Sequence, residues 1–159
     1  MRGERIVISA DPQGKFLDGI VYGTPKPGTV MQVRASAGID EATGRPTFEV
    51  FNRDFDGQHG IMAVLCENDM EGDRATVAYA TGTLCQLYVP IAGEELNMLV
   101  KDVSGTADDH SLGAMMMVDD GTGMLVTAYG SAESEPFQLL EALTDITEDT
   151  LAHCLFTGF

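Results

Sequence analysis

Glycine is the feature that most constrains this chain. Eighteen glycines fall at intervals along it, and the apolar runs between them are all strand-sized. A helix needs a 3.6-residue periodicity sustained over roughly 10–12 residues, whereas short alternating runs bounded by turn-formers are the grammar of a β-sandwich or barrel. The expected fold is therefore all-β, with at most one or two short helices.

Arg5 to Ala10 (RIVISA) reads as a possible first strand. Residues 11–28 hold Pro12, Pro25 and Pro27 among several glycines, and read as an extended arm or loop interrupted by Ile20-Val21-Tyr22. Further strands are expected at 29–34, 47–52, 60–66, 75–80, 83–89, 96–101, 113–118, 124–129 and 151–156. The run 60–66 (GIMAVLC) is continuously apolar, as in a strand buried on both faces. Asp120-Gly121 between 113–118 and 124–129 signals a hairpin. The stretch 137–143 (FQLLEAL) fits strand or helix. No fixed-period repeat is visible. The resulting division is an arm or first strand over 1–28 and a compact β-barrel over 29–159.

Charge narrows the partners. Lys plus Arg total 9 and Asp plus Glu 25, a net charge of −16, which repels nucleic acid and anionic lipid. No apolar run approaches the ~20 residues of a membrane helix. The charged start, Met1 to Arg5, has no apolar stretch behind it, so no secretory signal is expected. Cys66, Cys85 and Cys154 each lie in apolar surroundings without a C-x-x-C pair, the pattern of buried free thiols in a reducing cytoplasm.

Catalytic patterns are missing. Gly130-Ser131-Ala132-Glu133-Ser134 lacks the second glycine of a nucleophile elbow. His153 and Cys154 are adjacent in a strand and point to opposite faces, which does not suit a Cys–His couple. His110 falls in a polar loop and is expected to be solvated. Asn52, Asp54 and Asp56, followed by Gly57, match the first half of a calcium loop, but its twelfth position is Ala63 rather than glutamate. An Asx-rich turn explains the same letters. No phosphate cradle is present, and Asp119-Asp120-Gly121-Thr122-Gly123 would repel an anion. No enzyme, cofactor or metal is expected. Met115-Met116-Met117 reads as core filler, with an interaction surface or the lining of a ligand lumen as alternatives.

The segment Thr81 to Gly130 is similar to the decoration (cement) proteins of tailed double-stranded-DNA phages. The resemblance lies in Tyr88-Val89-Pro90 leading to the turn Gly93-Glu94-Glu95, the loop 103–112, then Gly113 to Val118 and Asp119 to Leu125. The Gly/Pro-rich leader 11–28 resembles that family's N-terminal arms. What the resemblance implies is a β-barrel or β-tulip made in the host cytoplasm. It would dock on the outside of an expanded capsid, typically as a homotrimer, and bridge subunits of the major capsid protein through its arm. On that expectation Ile6, Ile8, Phe16, Leu17, Ile20 and Tyr22 contact the capsid. For Ile6 and Ile8 the clean alternation fits a first strand kept in the core equally well. A head-fibre or tail accessory protein, a ligand-binding β-barrel and an enzyme with an unrecognised site are the competing readings.

Overall fold

A computed structural model describes residues 5–34, 39–52, 62–68, 75–102, 108–127 and 135–158. Within them the chain is all-β, with no helix. The strands are β1 (Lys15–Val21), β2 (Val30–Val33), β3 (Thr47–Val50), β4 (Met62–Leu65), β5 (Leu84–Val89), β6 (Glu95–Val100), β7 (Asp108–His110), β8 (Met115–Val118), β9 (Leu125–Thr127), β10 (Phe137–Leu139), β11 (Leu143–Ile146) and β12 (Thr150–Phe156).

These strands close two barrels of five. The first has the order β1-β3-β2-β4-β5 and the second β6-β9-β8-β10-β12. In each, one pair is parallel (β1–β3, β6–β9) and the rest are antiparallel. Taking β7 and β11 as insertions, both barrels run first-third-second-fourth-fifth. The fold is one topology used twice. The insertions pair with each other, Leu143 opposite His110. The corresponding connections of the first barrel also meet: Tyr79 N–H donates to Pro25 O (2.8 Å) and Gly23 N–H to Thr81 Oγ1 (3.0 Å).

Alternation along the strands sorts side chains into two cores. Val21, Met31, Phe48, Ala63, Leu65, Cys85 and Leu87 fill the first barrel. Val30, Val64 and Tyr88, on the outer face of the same strands, join the residues of the second barrel in one continuous core. This is why β4 is apolar throughout: Ala63 and Leu65 face the lumen and Val64 faces the neighbouring barrel. Each fully buried Val, Leu, Met or Phe side chain of this set contributes about 1.5–3 kcal/mol relative to exposure. The barrels approach closely at Gly28 and Gly123. Both have positive φ (84° and 67°), and a Cβ at Gly123 would overlap the Val30 carbonyl oxygen.

The N-terminal segment connects the halves. Val7 lies antiparallel opposite Leu96. Ile8 N–H donates to Glu95 O (3.0 Å), and Asn97 N–H to Ile6 O (2.7 Å). Residues 6–8 thus run along β6, while Ile6 is wholly buried in the shared core.

Several expectations need correction. Residues 15–21 stand in the barrel wall, not in a loop. Gly19 sits within β1 because a Cβ there would overlap the Phe48 ring, so this glycine marks close packing rather than a turn. Residues 75–80 form no strand, although Ala75 and Tyr79 are buried. The ambiguous 137–143 stretch is neither one strand nor a helix: β10 ends at Leu139 and β11 begins at Leu143. Part of the expected loop 103–112 is β7. The hairpin about Asp119–Gly123 is present, with Val118 opposite Leu125, and β12 closes the second barrel against β6 and β10.

Candidate interaction site

The polar organisation of the molecule centres on the turn between β5 and β6. Glu94 is only 7% exposed, yet its carboxylate accepts from Tyr88 O–H (2.6 Å), Gln13 N–H (2.5 Å), Gly14 N–H (3.1 Å) and Ile91 N–H (2.8 Å). Burial alone would raise its pKa. The hydrogen bonds from Tyr88 and the three amides outweigh that and hold it below the usual carboxylate range. Burial, then the Glu94 hydrogen bond, push the Tyr88 phenol up, so it stays a donor. Glu94 therefore fastens the start of β1 to the barrel junction. It is also the central residue of the Tyr88-Val89-Pro90 and Gly93-Glu94-Glu95 pattern. The lock escaped the sequence reading; its signal is a tyrosine six residues before a glutamate across a glycine turn.

Surface clefts flank the N-terminal segment. One, of about 550 Å3, is lined by Arg5, Val7, Ile8, Asn97 and His153. Another, of about 310 Å3, lies towards Pro12, Phe16, Glu67 and Gln86. A third, of about 410 Å3, lies between the barrels, with Tyr22, Lys26, Glu49, Met124 and Asp149 on its walls.

The six expected contact residues separate into two groups. Ile6 is fully buried and Ile20 nearly so, within the described fold. Leu17 is half-buried against the first lumen. Ile8 (38%), Phe16 (44%) and Tyr22 (44%) are exposed. Phe16 stacks on Tyr88 with ring centroids 4.7 Å apart. The Arg34 guanidinium lies 3.4 Å over the Tyr22 ring and ion-pairs with Glu49 at 3.5 Å.

The residues considered for chemistry are engaged elsewhere. His153 Nε2 lies 2.7 Å from Glu95 Oε2, while Cys154 points into the core, on the opposite face as expected. His110 is a correction: it is buried, not solvated, because β7 carries it under β11, and its Nδ1 lies 2.9 Å from Thr127 Oγ1. All three cysteines are buried free thiols, and burial pushes Cys85 and Cys154 up to about 12. Met116 is wholly buried in the shared core. Of the half calcium loop, Asp54 and Asp56 lie outside the described residues; Asn52 N–H donates to Gln32 Oε1 (3.3 Å). His59 and Ser131 also lie outside them. Among the described residues no group of three His, Cys, Asp or Glu side chains could hold a metal ion, and no helix is long and apolar enough to cross a membrane.

The sequence matches no protein-family model and no curated protein.

Proposed function

We propose that this chain is a non-catalytic structural protein of a phage virion, a decoration protein that docks on the outside of the expanded head. There it bridges neighbouring subunits of the major capsid protein, most simply as a homotrimer on the shell. The observation that carries this reading is the exposure of Ile8, Phe16 and Tyr22 within one short N-terminal stretch of a chain with net charge −16. Solvent-facing apolar and aromatic side chains on an otherwise acidic surface are suited to a protein contact. The charge suits an outer surface that must not adhere to other particles or to DNA. Weak contacts suffice when many copies act together on one shell. The lumens are filled with side chains, so a lumenal ligand would have to displace residues such as Met31 or Met116.

Quantitative mass spectrometry of purified virions tests the reading. A copy number comparable to the major capsid protein, lowered by combined Phe16→Ser and Tyr22→Ser substitution in a protein that still folds, supports it. A few copies per particle would assign the chain to a fibre or tail accessory instead. Absence from virions would refute the reading.

A further inference from the structure

The two barrels share a topology but differ at the parallel seam, and the difference exposes a second site. In the second barrel the parallel bridge is Val100–Leu125, with Lys101 N–H donating to Leu125 O (2.9 Å). In the first it is Val21–Phe48, with Tyr22 N–H donating to Phe48 O (2.8 Å). Matching these bridges matches Leu99 to Ile20, Asn97 to Asp18, Leu96 to Leu17 and Glu95 to Phe16. The next donors also agree: Leu99 N–H reaches Gly28 O and Ile20 N–H reaches Pro46 O, both at 3.0 Å.

Beyond that point the barrels diverge. Asn97 N–H is taken by Ile6 O, Glu95 O accepts from Ile8 N–H, and Glu95 N–H donates to Ser9 Oγ (2.9 Å). The edge of β6 is filled by the extended segment 6–8. In β1, Ile20 and Tyr22 direct their main-chain groups towards β3, so by strand alternation Phe16 and Asp18 face the same side and away from β5. Among the described residues β5 pairs with that stretch of β1 on one side, and no strand pairs with it on the other. The side chains agree. Leu96, beneath the filled slot, is wholly buried, whereas its counterpart Leu17 is half-buried and Phe16 is exposed.

We propose that the edge of β1 at Phe16–Asp18 is a strand-acceptor site. It takes an extended segment of a basic protein partner, antiparallel to β1, with an apolar residue set opposite Leu17. The second barrel displays the complement in its own chain: an extended, β-branched Ile6-Val7-Ile8 preceded by Arg5. Main-chain hydrogen bonds supply attachment, and the side-chain position beside the half-buried Leu17 supplies selectivity. Charge sets the class of partner. At −16 per chain, a second copy is repelled and a basic segment attracted. The proposal does not depend on the virion reading, because its test needs no virion.

The probe is a capped synthetic peptide carrying the Arg5–Ser9 sequence between flanking lysines, added to the full-length protein. Amide hydrogen exchange is followed residue by residue by NMR. At saturating peptide the Phe16 and Asp18 amides are expected to exchange at least tenfold more slowly. A peptide N-methylated at the residues that would meet the Phe16 and Asp18 carbonyls should lose this effect, with the protein itself unaltered. Unchanged exchange at Phe16 and Asp18 overturns the proposal. So do changes confined to Glu95–Asn97, which would mean displacement of the chain's own segment, and equal protection by the N-methylated peptide. Protection that rises with protein concentration alone also overturns it, by making a second copy the occupant.

Discussion

Replacing Glu94 by glutamine preserves the shape of the side chain and removes its charge, so it isolates what the buried carboxylate does. Three donors converge on Oε1 (Tyr88 O–H and the Gln13 and Gly14 amides), and the Ile91 amide meets Oε2. An amide offers only one acceptor oxygen. If that oxygen takes the Oε1 place, the NH2 group confronts the Ile91 N–H, and a buried donor left without an acceptor costs about 1–3 kcal/mol. The other three bonds fall from charge-assisted to neutral, a loss of up to about 1 kcal/mol each. Relief from burying a charge offsets part of this, leaving a net destabilisation of roughly 3 kcal/mol. For a chain of this size that lowers Tm by roughly 6–12 °C. The pH dependence has a definite sign. A carboxyl whose folded-state pKa is depressed contributes stability that is fully present above the unfolded carboxyl range and is lost as pH falls through the folded value. The gap in Tm between wild type and Glu94→Gln should therefore be widest near neutral pH and close on acidification. Melting curves by circular dichroism across that range test it. Equal Tm values at pH 7, or a gap that persists undiminished in acid, would refute the argument.

The N-terminal segment should behave as core at one residue and as surface two residues later. Ile6→Ala is expected to cost about 2–5 kcal/mol and Ile8→Ser less than about 0.5 kcal/mol, read from denaturant titrations. Gly123→Ala must force the barrels apart at Val30 as well as strain a positive φ, whereas Gly44→Ala meets no atom within 4 Å. The second should cost only the backbone term of about 1–2 kcal/mol, the first clearly more, by thermal melts of both. With Cys85 and Cys154 pushed up to about 12 and all three thiols buried, Ellman's reagent should label the native protein slowly and the unfolded protein at all three sites. Fast native labelling would contradict the packing.

Much of the fold could be read from strand-sized apolar runs. The two-faced burial of β4, the Asp119–Gly123 hairpin and the closing β12 each follow from a local pattern that packing then satisfies. The failures share a cause: a residue whose local meaning differs from its tertiary one. Gly19 reads as a break and is instead a strand residue that makes room for Phe48. Ala75 to Ala80 alternates like a strand, yet Ala75 and Tyr79 are buried without a ladder. Tyr79 O–H donates to Cys66 O (3.0 Å) instead. His110 reads as solvated because its partners, β11 and Thr127, are distant in sequence. The duplication left no period because the second barrel carries β7 and β11 within connections that the first barrel fills with irregular chain. At the candidate site, exposure separated Phe16, Tyr22 and Ile8 from Ile6 and Ile20, which alternation alone could not do.

The seam explains why a duplicated fold is not a duplicated function. A five-strand barrel with one parallel pair brings its first and third strands together only where both run in register. Here that is one bridge in the second barrel and two in the first. The rest of the first strand then offers main-chain donors and acceptors that must find water or a partner. In the second barrel Gly28 and residues 6–8 fill the gap, and the same contacts hold the halves together around the buried Ile6. Residues 6–8 are committed to β6, and among the described residues no segment takes the equivalent place beside β1. Among the described residues the unmatched main-chain groups fall at Phe16 and Asp18, in the same short stretch as the exposed Phe16 and Tyr22 side chains and close to the Glu94 lock that fixes Gly14. Spare hydrogen-bonding capacity, exposed apolar area and a rigid anchor thus coincide in one strand, where an interacting segment gains most from all three.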